Sequence, residues 1–336
     1  SPNGVIVNDF NYLSIIDSID NVVLDFNTIL QKKSDSSYIL AINISDSSLV
    51  SQSIHGGGVL YLHLDQNFNI IDSITLYKPL NTSDYLFASI EEIDSGKVVL
   101  MIPENLQSGT NSLEEGEIVF ITIDKNDSIL NITNYTDGQK IINPFGLTKT
   151  ADGGYLFTYL KGEWSFAVNG WEYFRYLCKV DSNFLLVWKK LTTENEGIGA
   201  YYLDKQIITT LDNEYVVVGG AYEDTSIFEQ RFAQIIKFND NGDFLWRREH
   251  YKIKDTSELF PLEIEISDVI ATKDSGYCMV GHLYDWVALN AGNPSRYGYI
   301  VKTNCLGFLG NAVASANYQL ESSKATFFNT SMQAGS

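Results

Sequence analysis

Basic side chains are scarce in this sequence. Lys and Arg number 23 against 42 Asp and Glu, giving a net charge of -19 and a pI near 4.5, and no local basic cluster offsets it. Such a surface repels phosphate backbones and anionic lipid, so no nucleic acid is expected as a partner. Long apolar runs are missing too: none reaches the roughly 18 residues that a membrane helix requires. Ser1 begins no basic segment followed by an apolar one. Membrane insertion is therefore not expected, and any signal peptide is expected to have been removed already.

Other absences remove whole classes of chemistry. The three cysteines, Cys178, Cys278 and Cys305, form neither a CxxC pair nor a disulfide-dense framework, and leave the redox compartment open. Cys178 and Cys278 sit in apolar strand patterns and read as small core residues. Cys305 lies in a turn, where it could pair with Cys278 or with a cysteine beyond this chain. The four histidines, His55, His63, His250 and His282, show no HxH or HExxH spacing. No serine sits in GxSxG, and no Gly-rich phosphate loop leads from a strand into a helix. No metal, nucleotide or other cofactor is expected. The run Asn239-Asp240-Asn241-Gly242-Asp243 approaches a calcium loop but lacks the distal bidentate Glu, and reads as a hairpin turn.

What is present is apolar and β-forming. Of 336 residues, 44% are hydrophobic and 13% aromatic, enough to bury a large core. Thr, Ser, Asn, Tyr and Ile are abundant while only 19% of residues are charged, a composition of strands with a polar rather than ionic surface.

One unit recurs five times. Asp35, Asp94, Asp152, Asp212 and Asp274 are spaced by 59, 58, 60 and 62 residues. Three residues after each come Tyr38, Lys97, Tyr155, Tyr215 and Tyr277, followed by an apolar run such as Val216-Val217-Val218. A second landmark keeps the same phase: Asp65, Asp124, Asp181, Asn239 and Asn304, spaced by 59, 57, 58 and 65. Each unit reads as four strands, A and B flanking the first landmark, C and D flanking the second. Asp, Asn and Gly recur at the landmarks because tight turns need residues that tolerate positive φ and bond their own backbone. A four-stranded sheet of this length cannot bury both faces alone, and no Pro/Gly/Ser-rich linker separates the units. The expectation is all-β: a β-propeller of four-stranded antiparallel blades, five of them, with six as the alternative.

The ends are read as complementary. Residues 5–20 echo the D strand of the first repeat, while the fifth repeat lacks a clear D strand after Asn304. The N-terminal strand is therefore expected to complete the last blade and close the ring, removing two sheet edges. The propeller is assigned residues 1–312, and residues 313–336 a linker and the truncated start of another β domain.

The turn-strand run Thr148-Lys149-Thr150-Ala151-Asp152-Gly153-Gly154-Tyr155 and the segment from Ile236 through Asn239 and Gly242 to Trp246 resemble the propeller repeats of secreted Bacteroidota-type proteins. Their pattern is T-x-D-G-G-Y followed by I-x-K-x-D-x-x-G-x-x-x-W. The resemblance spans residues 26–310. It weakens in the first two repeats, where Ser36-Ser37 replaces the Gly pair, Lys97 replaces Tyr and the D strands have no Trp. Ala316-Asn317-Tyr318 and Thr326 to Ser331 resemble the first strands of a PKD domain, an Ig-like sandwich. These resemblances imply a longer, exported or cell-surface protein, often carrying a type IX secretion signal. The triplets at Asp17-Ser18-Ile19, Asp72-Ser73-Ile74 and Asp127-Ser128-Ile129 match a short O-glycosylation acceptor pattern of such proteins, or simply repeat a D strand rich in Asp and Ser.

Residues outside the repeat carry the functional expectation. The B-to-C connections hold Trp164, Trp171 and Tyr173 in the third unit, Tyr222 and Phe228 in the fourth and Trp286 in the fifth. Aromatic platforms beside carboxylates and amides suit sugar rings or partner side chains, and equally pack loops together. A glycoside hydrolase would need two carboxylates converging from separate blades. Among the aligned A-strand positions just before the first landmark only one repeat has Glu, at Glu91 and Glu92. The reading is a monomeric, non-enzymatic, exported binding or adhesion module contacting protein or glycan at the cell surface, with a carbohydrate-active hydrolase or a structural spacer as the alternatives.

Overall fold

The computed structural model describes residues 22–46, 57–77, 89–94, 96–104, 117–137, 141–165, 170–192, 203–225, 228–250, 262–285, 295–321 and 324–329. Every regular element among them is a strand, and none is a helix that could cross a membrane. The chain divides into two compact units, residues 1–144 and 145–336.

The first unit holds two sheets. One contains β1 (Val22–Lys32), β2 (Tyr38–Asp46), β3 (Gly57–Leu64) and β4 (Ile70–Tyr77); the other contains β5 (Ser89–Glu92), β6 (Val98–Glu104), β7 (Glu117–Ile123) and β8 (Ile129–Tyr135). Three more follow. The third has β9 (Ile141–Lys149), β10 (Tyr155–Ser165), β11 (Gly170–Val180) and β12 (Leu186–Leu191), and the fourth β13 (Leu203–Thr209), β14 (Tyr215–Thr225), β15 (Phe228–Phe238) and β16 (Phe244–His250). The fifth has β17 (Leu262–Ala271), β18 (Tyr277–Asp285), β19 (Ser295–Thr303), β20 (Leu309–Glu321) and β21 (Lys324–Asn329). Strands pair in chain order throughout, so each repeat is one meander with its A strand at one edge. The fold class is that of a β-propeller with five blades.

Both landmarks are turns, as their spacing predicts. At the second, one side-chain oxygen accepts two backbone N–H groups of its own turn in every blade. Asp65 Oδ1 takes those of Asn67 and Asn69, both at 2.8 Å, and Asn239 Oδ1 takes those of Asn241 (3.0 Å) and Asp243 (2.8 Å). Asp124, Asp181 and Asn304 do the same. The resemblance of residues 239–243 to a calcium loop thus has a turn-forming cause. Three residues after the landmark the backbone is left-handed: Phe68, Asp127, Phe184, Gly242 and Gly307 have φ between 60 and 77°.

The core lies between neighbouring sheets. Val216 and Val218 pack with Ile264, Ile266 and Met279 of the fifth sheet, while Tyr215 and Val217 pack with Leu156 and Leu177 of the third. An uninterrupted apolar run is therefore buried on both faces by the period-two pleat. In the first unit Ile39, Val59 and Tyr61 meet Val98, Leu100 and Ile121. The apolar pairs that open the D strands stay outside: Ile70, Ile71, Ile129, Leu130, Leu186 and Val187 are each 43–56% exposed.

Two expectations about the fifth blade meet a different structure. Its fourth strand comes from the chain's own β20, which pairs with β19 from Thr303↔Leu309 to Gly298↔Ala316. The run Cys305-Leu306-Gly307-Phe308, which reads as the end of the repeat, is the C-to-D turn. Small residues, Gly310, Ala312 and Ala314, conceal the strand that follows it. Residues 5–20, expected to fill that place, lie outside the described residues. The segment resembling a PKD domain forms the end of β20 and β21, a hairpin added at the sheet edge. All three cysteines are free: Cys178 is buried, Cys278 half-buried and Cys305 exposed, so Cys278 and Cys305 are not paired.

Candidate functional site

The repeated polar residues are consumed by the fold. Thr150 Oγ1 donates to Asp152 Oδ1 at 2.5 Å, and Lys179, from strand C of the same blade, reaches Asp152 Oδ2 at 2.8 Å. Lys237 repeats this on Asp212 (3.3 Å) with Glu214 added, and Lys302 on Asp274. The Lys179 ammonium and the Thr150 hydroxyl hold the Asp152 carboxyl down at about 2. Lys302 and Thr272 hold Asp274 at about 2 likewise. Burial pushes the Asp212 carboxyl up, but its Thr210 and Glu214 hydrogen bonds outweigh that and leave it at about 2. Lys179 and Lys237 also reach into the next blade, to the Tyr215 and Tyr277 hydroxyls respectively.

Sheet junctions in the second unit use a second device. A Cβ on Gly242 would stand 2.5 Å from Trp188 Cη2, and one on Gly307 would stand 2.7 Å from Trp246 Cζ3. The Trp of one D strand therefore seats on the left-handed Gly in the next blade's C-to-D turn. Arg248 lies over both Trp246 (5.4 Å) and Phe308 (4.4 Å).

The unrepeated residues gather at the opposite end, where strands B and C join. Structure corrects their setting: they belong to paired strands, not loops. β10 and β11 pair over eleven positions, with Trp164 opposite Trp171 and Gly162 opposite Tyr173, leaving four connecting residues. In β14 and β15 Tyr222 stands opposite Arg231, and Thr225 opposite Phe228. Trp286 lies outside the described residues. Opposite positions of an antiparallel pair share one face of the sheet, so Trp164 and Trp171 occupy register positions of one face. The hairpin signal was present as alternation continuing past Thr158 and before Leu177.

Nearer the sheet centre the third blade carries a cationic-aromatic layer. Tyr159 stacks on Tyr176 at 5.5 Å, and Lys161 and Lys189 approach the Tyr176 ring at 5.6 and 5.3 Å. In the fourth blade Gln234 is 2% exposed and neither amide atom has a hydrogen-bond partner. It stands opposite Gly219, which contributes no side chain. His250 Nε2 is similarly unpartnered, and burial pushes this imidazole's pKa down. Buried unpaired polar groups are rare and costly. Among the described residues no cluster of His, Cys, Asp and Glu could hold a metal.

The A-strand carboxylate is also in structural use. Glu92 accepts the Ser34 backbone N–H and the Ser34 hydroxyl, both at 2.7 Å, tying the second blade to the first A-to-B turn.

No protein-family model and no curated protein matches the chain. Solved structures do. The chain is similar to a thermostable family-43 glycoside hydrolase at 11% identity and a TM-score of 0.44, covering 91% of this chain and 93% of that one. It is similar to an endo-arabinase from Bacteroides thetaiotaomicron at 10% identity and 0.48, covering 85% and 97%. A Synechocystis apocarotenoid oxygenase variant shares 9% identity at 0.49, covering 91% and 64%. At these identities the likeness is one of fold. One expectation is left without support: scarce carboxylates just before the first landmark predict that the chain is not an enzyme, whereas glycoside hydrolases stand among the similar structures. The physical reason is that aligned A-strand positions sample only a small part of each blade.

Proposed function

We propose that this chain is a carbohydrate-active β-propeller module that engages a polysaccharide through the B-to-C hairpins of its third and fourth blades. The observation that carries this reading is the in-register pair Trp164↔Trp171, with Tyr173 two residues along β11 at a position of the same face; Tyr222 and Phe228 lie in the corresponding hairpin of the next blade, at positions of opposite faces. Flat aromatic groups suit the apolar faces of sugar rings, while neighbouring amides and carboxylates suit their hydroxyls. Asp224, two residues from Tyr222 on β14, is a carboxylate position that shares a face with an aromatic one, whereas Glu163 and Glu172 alternate with the tryptophans and occupy positions of the other face. The repeat resemblance to secreted Bacteroidota-type proteins supports a setting outside the cell.

The test is a polysaccharide panel read two ways, for retention of the protein and for release of new reducing ends. Retention by at least one polysaccharide is expected, falling at least tenfold, about 1.4 kcal/mol, in a Trp164→Ala/Trp171→Ala double variant. Retention unchanged in that variant, or no retention and no release anywhere on the panel, would overturn the proposal.

A further inference from the structure

In the first blade the lysine position of strand C is held by His63, and its surroundings differ from those of every lysine described above. His63 Nδ1 lies 2.7 Å from Asp127 Oδ2, in the C-to-D turn of the second blade, and Nε2 lies 3.0 Å from Ser37 Oγ. Tyr61 OH donates to the other Asp127 oxygen at 3.0 Å. Ser37 in turn donates its hydroxyl proton to Asp35 Oδ1 at 2.5 Å. The side chains of His63 and Asp127 are 8% and 5% exposed.

Counting protons along this row shows which charge state satisfies every contact. A carboxylate can only accept, so Asp127 requires a proton on Nδ1. With the Ser37 proton directed to Asp35, the Ser37 oxygen is left to accept from Nε2. Both ring nitrogens then donate, the bonding of an imidazolium between two carboxylates from different blades. Although the Ser-His-Asp order resembles a nucleophile and its base, the hydroxyl is buried and already engaged by Asp35. Ser37's hydrogen bonds also hold the Asp35 carboxyl below the ordinary range, consistent with its ionised form.

We propose that His63 is a proton-dependent latch between the first and second blades. When the ring loses a proton, Nε2 faces the Ser37 oxygen with no hydrogen between them. Ser37 must then turn its proton from Asp35 to the ring, and the row loses one bond and its central charge. The tie is strongest while both ring nitrogens carry protons and weakens when one is lost as pH rises. The other charged or titratable groups facing the ring are Lys33, 4.0 Å from Asp35, Asp72, directly opposite His63 on β4, and Tyr61. Burial and the Asp127 charge push the Tyr61 phenol up, so it stays neutral while the ring changes charge.

The experiment combines imidazole 15N NMR of the whole chain with thermal melts from pH 5 to 8. At pH 5.5 one histidine should carry both ring protons with slow exchange, and that signal should vanish in His63→Gln. The wild-type Tm should fall by about 1–3 °C relative to His63→Lys as the pH rises, because the lysine keeps its charge. Should either variant fail to fold, amide exchange at residues 124–128 of the wild type reads the same event, with protection factors, taken against the intrinsic rate at each pH, expected to fall between pH 5.5 and pH 8. A ring with a single N–H at pH 5.5, or protection factors at 124–128 that do not change with pH, would overturn the latch.

Discussion

Blades are joined by different chemistry in the two units. Within the second, the junctions from third to fourth and fourth to fifth blade each use a lysine, paired with an Asp of its own blade, that reaches the next blade's Tyr hydroxyl, and a Trp seated on a left-handed Gly. Within the first, the corresponding positions hold His63, Asp72 and Asp127, and the contact is a hydrogen-bonded row supplemented by Ser34 and Glu92. The C-to-D turns are the same in all five repeats, so the difference there lies in side chains alone. One backbone plan accepts an apolar seat or a polar row at the same place.

The largest effect should come from breaking the apolar seat. Gly242→Ala meets both a φ of +77° and the Trp188 ring, and is expected to cost about 2–4 kcal/mol in chemical denaturation. Trp188→Ala should recover part of that cost in the double variant, a coupling of about 0.5–3 kcal/mol. Strict additivity would show that ring and glycine do not meet. The same substitution logic applied to the first unit, Asp127→Gly, should give no such gain even beside Asp72→Trp, because His63 then loses its carboxylate.

A smaller effect concerns acid. Asp152 and Asp274 have carboxyls lowered to about 2 by Lys179 and Lys302. Groups depressed in the folded state stabilise above the unfolded value, near 4, and lose that contribution as pH falls toward 2. Tm measured from pH 5 to 2 should therefore fall less steeply in Asp152→Asn and Asp274→Asn than in wild type. An unaltered slope would show that these exposed pairs are screened to nothing. The smallest effect should be a gain: Gln234→Met removes a buried amide without partners and is expected to raise stability by about 1–2 kcal/mol. A loss would mean that the amide is satisfied in solution.

The period, the two turns and the strand count were legible because each depends on residues close in sequence: Asp65 bonds within its own turn, and Val216 to Val218 alternate within one strand. Contacts between repeats were not. His63 meets Asp127 from 64 residues away, and a lone histidine carries no spacing signal. The matching triplets at Asp72 and Asp127 fall seven and three residues after their landmarks, so they are not equivalent positions of a D strand. Of the candidate site, the identity of Trp164, Trp171 and Tyr173 could be read, but their placement on paired strands could not, since the Gly162 and Gly170 that flank them look like loop residues. The apolar pairs Ile70-Ile71 and Ile129-Leu130 suggest core and are exposed, because a D strand is the outer edge of its sheet.

The seating of Trp188 on Gly242 has a consequence for how such a chain can change by duplication. The two members of each pair belong to different repeats, a D-strand ring and the following turn. A copied block cut at the A strand would bring a Trp beside whatever residue its new neighbour has, which in the first unit is Asp127. A block cut between the C-to-D turn and strand D would split no such pair and would carry one whole. The heritable segment of this architecture is thus offset from the visible blade: it begins with one blade's outermost strand and ends in the last turn of the next.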